Sequence, residues 1–510
     1  MAKKIIQNLL GLVKRAEEYL KQYLFFKRLF LGLARPINFT KNCFNYFKGH
    51  FFFRFKFSYY FPLKALKRHT YTVAQSGSWK SELMKIEINY LQRNSAEKRN
   101  KSIVLIEPHG DLALEVLSFW LNTQMDRVVY VDPYIRDTSK QAVGKFLFEE
   151  EYTPVINPFQ IKDKSARSID FVSQELTGAF VEILKDKNFS IQMDALLKPC
   201  IATLLRKGDA TLRDLQRFMN DNENADLIQL WLQSPKETDR AFFQYGFHKG
   251  SISLTKNSIY FKMQSLLNSY TFSNLVLGKS TIDLEDAINS WKVVIFNLAK
   301  WRMGKKVSPV FGKLIIALIQ WIVLKRQDTP EKYRKKTFLF VDEFQNYVTD
   351  SVEDILAESR KYALHLTLSH QLIGQKMDAK MKDIILGNTA LKIVWESGHK
   401  TMNTMAKEIG LSSSDFQEMP EFHFYLHNKF RKHKKVLLLK SPSFMLGRKG
   451  FFYLSNRSLK KLFKYLVEES GQYVKVKKQI APMAQNQVTS TPNLIPSESE
   501  KTIIIPKFSH

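Results

Sequence analysis

Cysteine is almost absent from this chain: Cys43 and Cys200 are its only two in 510 residues. They lie far apart and form no metal-ligand spacing, so neither a disulfide framework nor a cysteine metal site is supported, and a reducing compartment is the default. Glycine is also scarce, at 20 residues, against a usual share of about 7 %. Acids are outnumbered, with Asp+Glu 49 against Lys+Arg 78 and a formal charge of +29. Such a field suits a polyanion or an anionic membrane surface. A lysine-rich proteome would produce the same surplus, since Lys, Phe, Ile and Asn are all abundant here. Long uncharged apolar runs are missing too. Leu314 to Leu324 is well short of the ~20 residues a spanning helix needs and fits a buried core helix. Near the start, Ile5 to Val13 is followed by charges and has no small-residue cleavage site, so no cleavable signal peptide is expected.

What is present is more specific. Ala74-Gln75-Ser76-Gly77-Ser78-Trp79-Lys80-Ser81 approximates the phosphate-binding pattern G-x-x-x-x-G-K-[ST], in which small residues let backbone N–H groups close around phosphates. Lys80 and Ser81 are in place for phosphate and Mg²⁺, while Ala74 and Trp79 stand where glycines are expected. Thr70 to Val73 is strand-like and Glu82 to Ile86 opens a helical pattern, the strand–loop–helix setting such a loop needs. Far downstream, Thr337 to Val341 is an apolar run suited to a buried parallel strand, and it ends in Asp342-Glu343. A carboxylate at such a tip can hold a metal's water shell, and its neighbour can polarise an attacking water.

The organisation follows from composition and periodicity. A chain of 510 residues can bury a large core and should hold two or three domains. Residues 1–64 carry 13 Lys/Arg against Glu17 and Glu18, interleaved with aromatics such as Phe51-Phe52-Phe53. They read either as a helical subdomain with a solvated basic face or as a peripheral membrane contact. Strand-like runs at 102–106 and 128–131, separated by a helical pattern, argue for βαβ units and an α/β fold for 65–164. From 165 to 290 apolar residues recur at three and four, as an all-α insertion. Strands resume at 293–296, 337–341, 364–368 and 391–394 within a second core part, 291–470. The tail, 471–510, is rich in Pro, Ser, Thr and Gln and is expected to be disordered.

Taken together, these landmarks resemble the HerA/FtsK superfamily of P-loop ATPases, and within it the type IV secretion coupling proteins of the TraG/TraD kind, in soluble form. The resemblance spans roughly 65–440. It rests on the altered phosphate loop, on Ile106-Glu107-Pro108-His109-Gly110-Asp111 (similar to a D-P-x-G-D segment, with Glu107 for Asp), and on Asn157-Pro158-Phe159. Phe296-Asn297-Leu298, Val341-Asp342-Glu343-Phe344, Glu358-Ser359-Arg360-Lys361-Tyr362 and Ser369-His370-Gln371 complete the set. The resemblance implies a RecA-like core with a mainly parallel sheet, interrupted by the helical insertion, and ATP and Mg²⁺ as cofactors. It implies that Ser76, Gly77, Ser78, Lys80 and Ser81 cradle the phosphates, and that Ser81 and Asp342 hold the metal. Glu343 would orient the attacking water, Gln371 would sense the γ-phosphate, and Arg360 would serve a neighbouring subunit as an arginine finger. Arg360 could instead be a surface arginine paired with Glu358 or Glu353. His109 and His370 sit in motif positions without a metal-ligand set.

The implied activity is ATP-driven DNA translocation by a homo-hexamer, in the cytoplasm or at the inner face of the membrane, with a relaxase or secretion-channel proteins as partners. A HerA-like processing or packaging motor is a neighbouring reading. A scaffold of the same fold that lost turnover at Trp79 is the alternative of a different class. Three tryptophans, Trp79, Trp291 and Trp301, stand where the pattern would place glycine. With glycine so scarce, the expectation is that these are UGA codons read as glycine in the source organism, and UGG at all three would sink it.

Overall fold

The computed structural model describes residues 60–476, apart from 76, 78, 94–100, 119–124, 134, 136–150, 185–189, 235, 349, 374–376 and 442–455. Most of the basic aromatic segment and nearly all of the tail lie outside the described residues, and with them the membrane contact and the disorder expected there.

Among the described residues eleven strands form: β1 (Thr70–Val73), β2 (Lys101–Glu107), β3 (Val128–Val131), β4 (Tyr152–Thr153), β5 (Val293–Asn297), β6 (Lys336–Val341), β7 (Leu364–His370), β8 (Leu391–Val394), β9 (His423–Asn428), β10 (Val436–Lys440) and β11 (Val474–Lys475). Nine of them make one sheet in the order β10-β9-β8-β1-β7-β6-β2-β5-β3. From β8 to β3 every neighbouring pair is parallel, and β9 and β10 add an antiparallel hairpin at one edge. The α/β class with a mainly parallel sheet is therefore as expected.

The parallel strands read as continuous apolar runs because both faces are covered: every residue of β2, β5 and β7 is buried. Side chains alternate between two cores. Ile103 and Leu105 face a layer with Leu83, Leu112, Val116, Leu462 and Phe463. Val104 and Ile106 face a layer with Leu176, Phe180, Phe311, Ile315 and Ile319. The result is a three-layer sandwich. The helix Val307–Leu324, continued by a 3-10 turn to Asp328, is long and apolar enough to cross a membrane by length and composition, yet 78 % of its apolar window is buried. It is longer than the uncharged run suggests because half-buried Lys313 interrupts it. Gly312 admits Tyr347 at close range, since a Cβ there would lie 2.2 Å from the ring.

From 166 to 289 the described residues form only helices, from Ala166–Ile183 to Leu284–Asn289. Local sequence sets their starts: Ser165, Ser269 and Asp283 each accept a backbone N–H three residues on. Asp214 accepts the Thr211 N–H at 2.8 Å. The apolar centre is aromatic, with Phe243 edge-on to Trp231 at 4.5 Å and stacked on Phe247 at 4.7 Å.

Gln472 and Tyr473, within the segment expected to be disordered, are held against β3. Gln472 Nε2 donates to the Val128 carbonyl at 2.8 Å, its Oε1 accepts the Tyr130 N–H at 3.1 Å, and the Tyr473 hydroxyl donates to the Tyr130 carbonyl at 2.8 Å. The physical reason is that β3 is an edge strand with free backbone groups to satisfy.

One buried acid yields a pH prediction. Glu87, on the helix Lys80–Arg93, is 1 % exposed, with the Thr367 hydroxyl beside its carboxyl. Burial pushes its carboxyl up to about 8, which Thr367 nearby only partly offsets. Because the folded value lies above the unfolded one, the folded state holds the proton more tightly between about pH 4.5 and 8. This contribution to stability is present below that window and is lost as pH rises through it, at up to about 1.4 kcal/mol per pH unit. Glu87→Gln is expected to be near neutral at pH 5 and stabilising at pH 8. Denaturant melts of both proteins across that range check it, and a constant difference would refute the assignment.

Candidate functional site

The parallel strands all end on one edge, where open α/β sheets place their ligands. Beyond β1, the Ala74 N–H donates to the His370 carbonyl at 3.0 Å, so the 74–81 loop leaves the sheet beside the end of β7. Gly77 has φ +85° with open space where a side chain would be. Ser76 and Ser78 lie outside the described residues. Lys80 opens the helix Lys80–Arg93, and half-buried Ser81 follows in its first turn.

Lys80 is 8 % exposed. Its Nζ lies 3.0 Å from Asp342 Oδ1 and 2.6 Å from Glu343 Oε1. The Asp342 N–H donates to the Ile106 carbonyl at 3.0 Å, extending the β6–β2 ladder one residue beyond β6. Ser369, near the end of β7, donates its hydroxyl to Asp342 Oδ1. Glu343 has a left-handed backbone, φ +49°, which costs about 1–3 kcal/mol in a non-glycine residue. Its carboxylate collects Lys80, the Gln371 amide at 2.8 Å and the Gln345 amide. Burial would raise the Glu343 carboxyl, but the Lys80 charge and these hydrogen bonds outweigh it and hold it below its ordinary value. Burial likewise opposes the charge of Lys80, and Asp342 and Glu343 overcome it and raise its value. The two groups keep each other ionised.

Glu107 forms the floor of the adjoining loop. Its oxygens accept the His109 N–H at 2.6 Å and the Gly110 N–H. Gly110 has φ +104°, and a Cβ there would lie 3.3 Å from Ala299 and Asn297, so only glycine fits without displacement. Burial and then the Asp342 charge push Glu107 up to about 8. His109 is mostly exposed, with Nε2 4.0 Å from Glu343 Oε1, whereas His370 is buried with Nδ1 3.1 Å from the Tyr71 hydroxyl. Among the described residues no group of three His, Cys, Asp or Glu could hold a metal ion. The Ser81 hydroxyl and Asp342 carboxylate are hard oxygen donors, which fits Mg²⁺, an ion that takes one or two protein ligands and completes its shell with phosphate and water.

Arg360 stands elsewhere. It lies in the turn Ser359–Tyr362 just before β7, whereas Gln371 follows β7 directly. A seven-residue strand separates the two edges by about 20 Å. Arg360 is exposed. Neither carboxylate considered as its partner takes it: Glu353 is 2.5 Å from Lys380 and Glu358 is 2.6 Å from Lys361. The structure thus groups Lys80, Asp342, Glu343 and Gln371, and leaves Arg360 on the opposite edge.

Two of the three suspect tryptophans have glycine's backbone. Trp79 has φ +66° and Trp291 φ +58°. Trp291 directly follows the C-cap Ser290 of the helix Leu284–Asn289, and the next N–H, from Lys292, bonds back to the Ala287 carbonyl at 3.2 Å. That is a Schellman ending, whose left-handed position glycine usually fills. Trp79 turns an edge toward Phe422 at 6.1 Å. Trp301 sits in the short helix Lys300–Met303, 60 % exposed, and shows no such backbone.

No protein-family model matches the chain, and no curated protein sequence does. Solved structures share its fold. The unbound monoclinic form of the bacterial conjugative coupling protein TrwBdeltaN70 aligns with a TM-score of 0.53 at 16 % identity, over 74 % of this chain and 85 % of that one. TrwB with ADP and Mg²⁺ aligns at 0.53 and 15 % identity, over 78 % and 88 %. TrwB with the ATP analogue ADPNP aligns at 0.53 and 14 %, over 78 % and 89 %. At these identities the likeness shows the fold alone: an α/β core like that of TrwB.

Ser369 and Gln345 escaped the sequence reading. Ser369 lies inside the quoted Ser369-His370-Gln371 motif and Gln345 directly follows Val341-Asp342-Glu343-Phe344, so each is two residues from a predicted site residue, Gln371 and Glu343 respectively. A polar residue that close to a strand-end motif was the available signal.

Proposed function

We propose that this chain is an ATPase that moves DNA, the coupling ATPase of a conjugative type IV secretion-like system, working as a hexamer in the cytoplasm or at the inner face of the membrane. The observation that carries the reading is the group of buried Lys80, Asp342 and Glu343 with half-buried Gln371 at the carboxyl edge of the parallel sheet. Arriving phosphates would draw the Lys80 ammonium from its carboxylates, leaving Glu343 free to orient a water while Gln371 contacts the γ-phosphate. Ser81 and Asp342 would hold Mg²⁺, which neutralises phosphate charge when bound. The net charge of +29 supports a polyanionic track, with a relaxase or secretion-channel proteins as partners. TrwB, which shares the fold, is described as a conjugative coupling protein and takes ADP with Mg²⁺. Processing or packaging of DNA by the same motor would use the same chemistry.

A second reading is favoured by one observation. Trp79 occupies the phosphate loop, and a protein made with it could be a non-hydrolysing DNA-binding or secretion scaffold. ATP turnover with and without DNA separates the two. A motor is stimulated by DNA and loses on the order of 10²-fold or more on Glu343→Gln. A chain with glycine at 79 that binds DNA but does not turn over ATP is a scaffold.

A further inference from the structure

The β9–β10 turn is the most concentrated charge among the described residues. Asn428 to Lys435 reads Asn-Lys-Phe-Arg-Lys-His-Lys-Lys, and no acid occurs between Glu421 and Glu468. Because β9 runs antiparallel to β8, its last residue, Asn428, pairs with the first of β8, Leu391. The turn therefore emerges at the amino edge of the parallel strands, opposite the Lys80 site.

This turn is built. Buried Asn428 accepts the Phe430 N–H on Oδ1 at 3.0 Å and donates its own N–H to the Lys435 carbonyl at 2.8 Å. The Lys429 N–H is held by the Ala390 carbonyl at 3.0 Å. Lys434 takes φ +48°, a conformation that asparagine or glycine adopts at less cost. Lys429, Lys432, His433, Lys434 and Lys435 are all exposed. Two cations from another element join them: Arg68 lies over the Phe430 ring at 5.1 Å and Lys64 at 5.7 Å. Both also line a concavity of about 770 Å³ in which Lys67, Arg360 and Lys361 outnumber the carboxylates of Glu331 and Glu358. Like charges held this close repel one another, and a polyanion would relieve them.

We infer that the 429–435 turn, with Lys64 and Arg68, is a docking surface for the phosphate backbone of a nucleic-acid strand. It rests on the DNA reading above and names where that DNA is held. The turn presents six cationic or imidazole side chains and a single apolar ring, Phe430, which is 36 % exposed with Lys64 and Arg68 over it, so it offers little to insert into a lipid surface. Contacts to phosphate position a strand without reading its sequence.

The test is fluorescence anisotropy of the full chain with a labelled oligonucleotide, single-stranded and duplex, across a salt series. Lys429→Glu/Lys432→Glu/Lys434→Glu is expected to weaken binding at least ~10-fold, and to reduce the duplex salt slope by about 2–3. The equal-charge control Lys249→Glu/Lys279→Glu/Lys407→Glu, on other elements, should change little. Lys434→Gly removes one cation while relaxing the backbone, so it should melt no lower than the parent yet bind more weakly. Equal losses in turn and control variants, or no loss in Lys434→Gly, overturn the proposal. So does loss of binding to anionic phosphatidylglycerol vesicles with oligonucleotide binding intact. If turn variants lose DNA while no variant shows ATP turnover, the docking surface stands and the motor reading falls. DNA-stimulated turnover untouched by the turn variants gives the reverse.

Discussion

Trp79→Gly is expected to raise ATP turnover by on the order of 10²-fold or more over the chain as written, the scale set by preorganised donors around a reacting anion. Two effects converge on this residue. An indole before the phosphate-binding lysine crowds a path that glycine leaves open to the backbone. The backbone there is also left-handed, φ +66°, which costs an L-residue about 1–2 kcal/mol. In the glycine protein, Lys80→Ala should abolish turnover, because on the proposed function the ammonium now 3.0 Å from Asp342 and 2.6 Å from Glu343 would supply the loop's positive charge for phosphate. If the Trp79 protein already turns over ATP at a rate that glycine does not change, the steric account is wrong. Trp291 provides an independent check, since it fills the left-handed position of a Schellman ending. Trp291→Gly should raise the melting temperature through relief of strain of the same size, less the packing of a half-buried ring. Peptide mass analysis of the protein from its own source then decides whether residues 79, 291 and 301 are made as glycine. Tryptophan at all three would remove the recoding idea and leave an impaired loop.

Much of the sheet was legible because parallel strands buried on both faces are unbroken apolar runs, which is why 70–73, 128–131 and 391–394 were placed to the residue. The β9–β10 hairpin was not. His423-Phe424-Tyr425-Leu426-His427 alternates between buried and half-buried positions, and its apolar half alone does not distinguish it from a helix face. The two-residue strands β4 and β11 carry no period at all. At the site, chemical type and place were readable: a lysine after a glycine-poor loop, two acids at a strand tip, a glutamine beyond another. Partnership was not. That Gln345 and Gln371 share one carboxylate, or that Glu343 sits at φ +49°, depends on how β7 lies between β1 and β6. Only tertiary packing decides that.

Arg360 carries the other large effect. In a glycine-restored protein, Arg360→Ala is expected to leave nucleotide binding nearly intact while cutting turnover by about 10³-fold or more, the scale of an arginine finger. The geometry makes this a statement about assembly. β7 separates Arg360 from Gln371 by its seven-residue length, about 20 Å, so the guanidinium cannot reach phosphates held at Lys80 of its own chain. An exposed arginine whose neighbours Glu353 and Glu358 already pair with lysines is free to meet charge brought by another copy. Turnover should therefore require a ring and fall away on dilution below its assembly concentration. Mixing Arg360→Ala with Lys80→Ala subunits should recover part of the activity. At a mixed interface one chain supplies the intact phosphate loop and the other the guanidinium. Well-mixed rings that stay inactive would mean that Arg360 serves the amino-edge surface of its own chain, and that the charge stabilising the transition state comes from another residue.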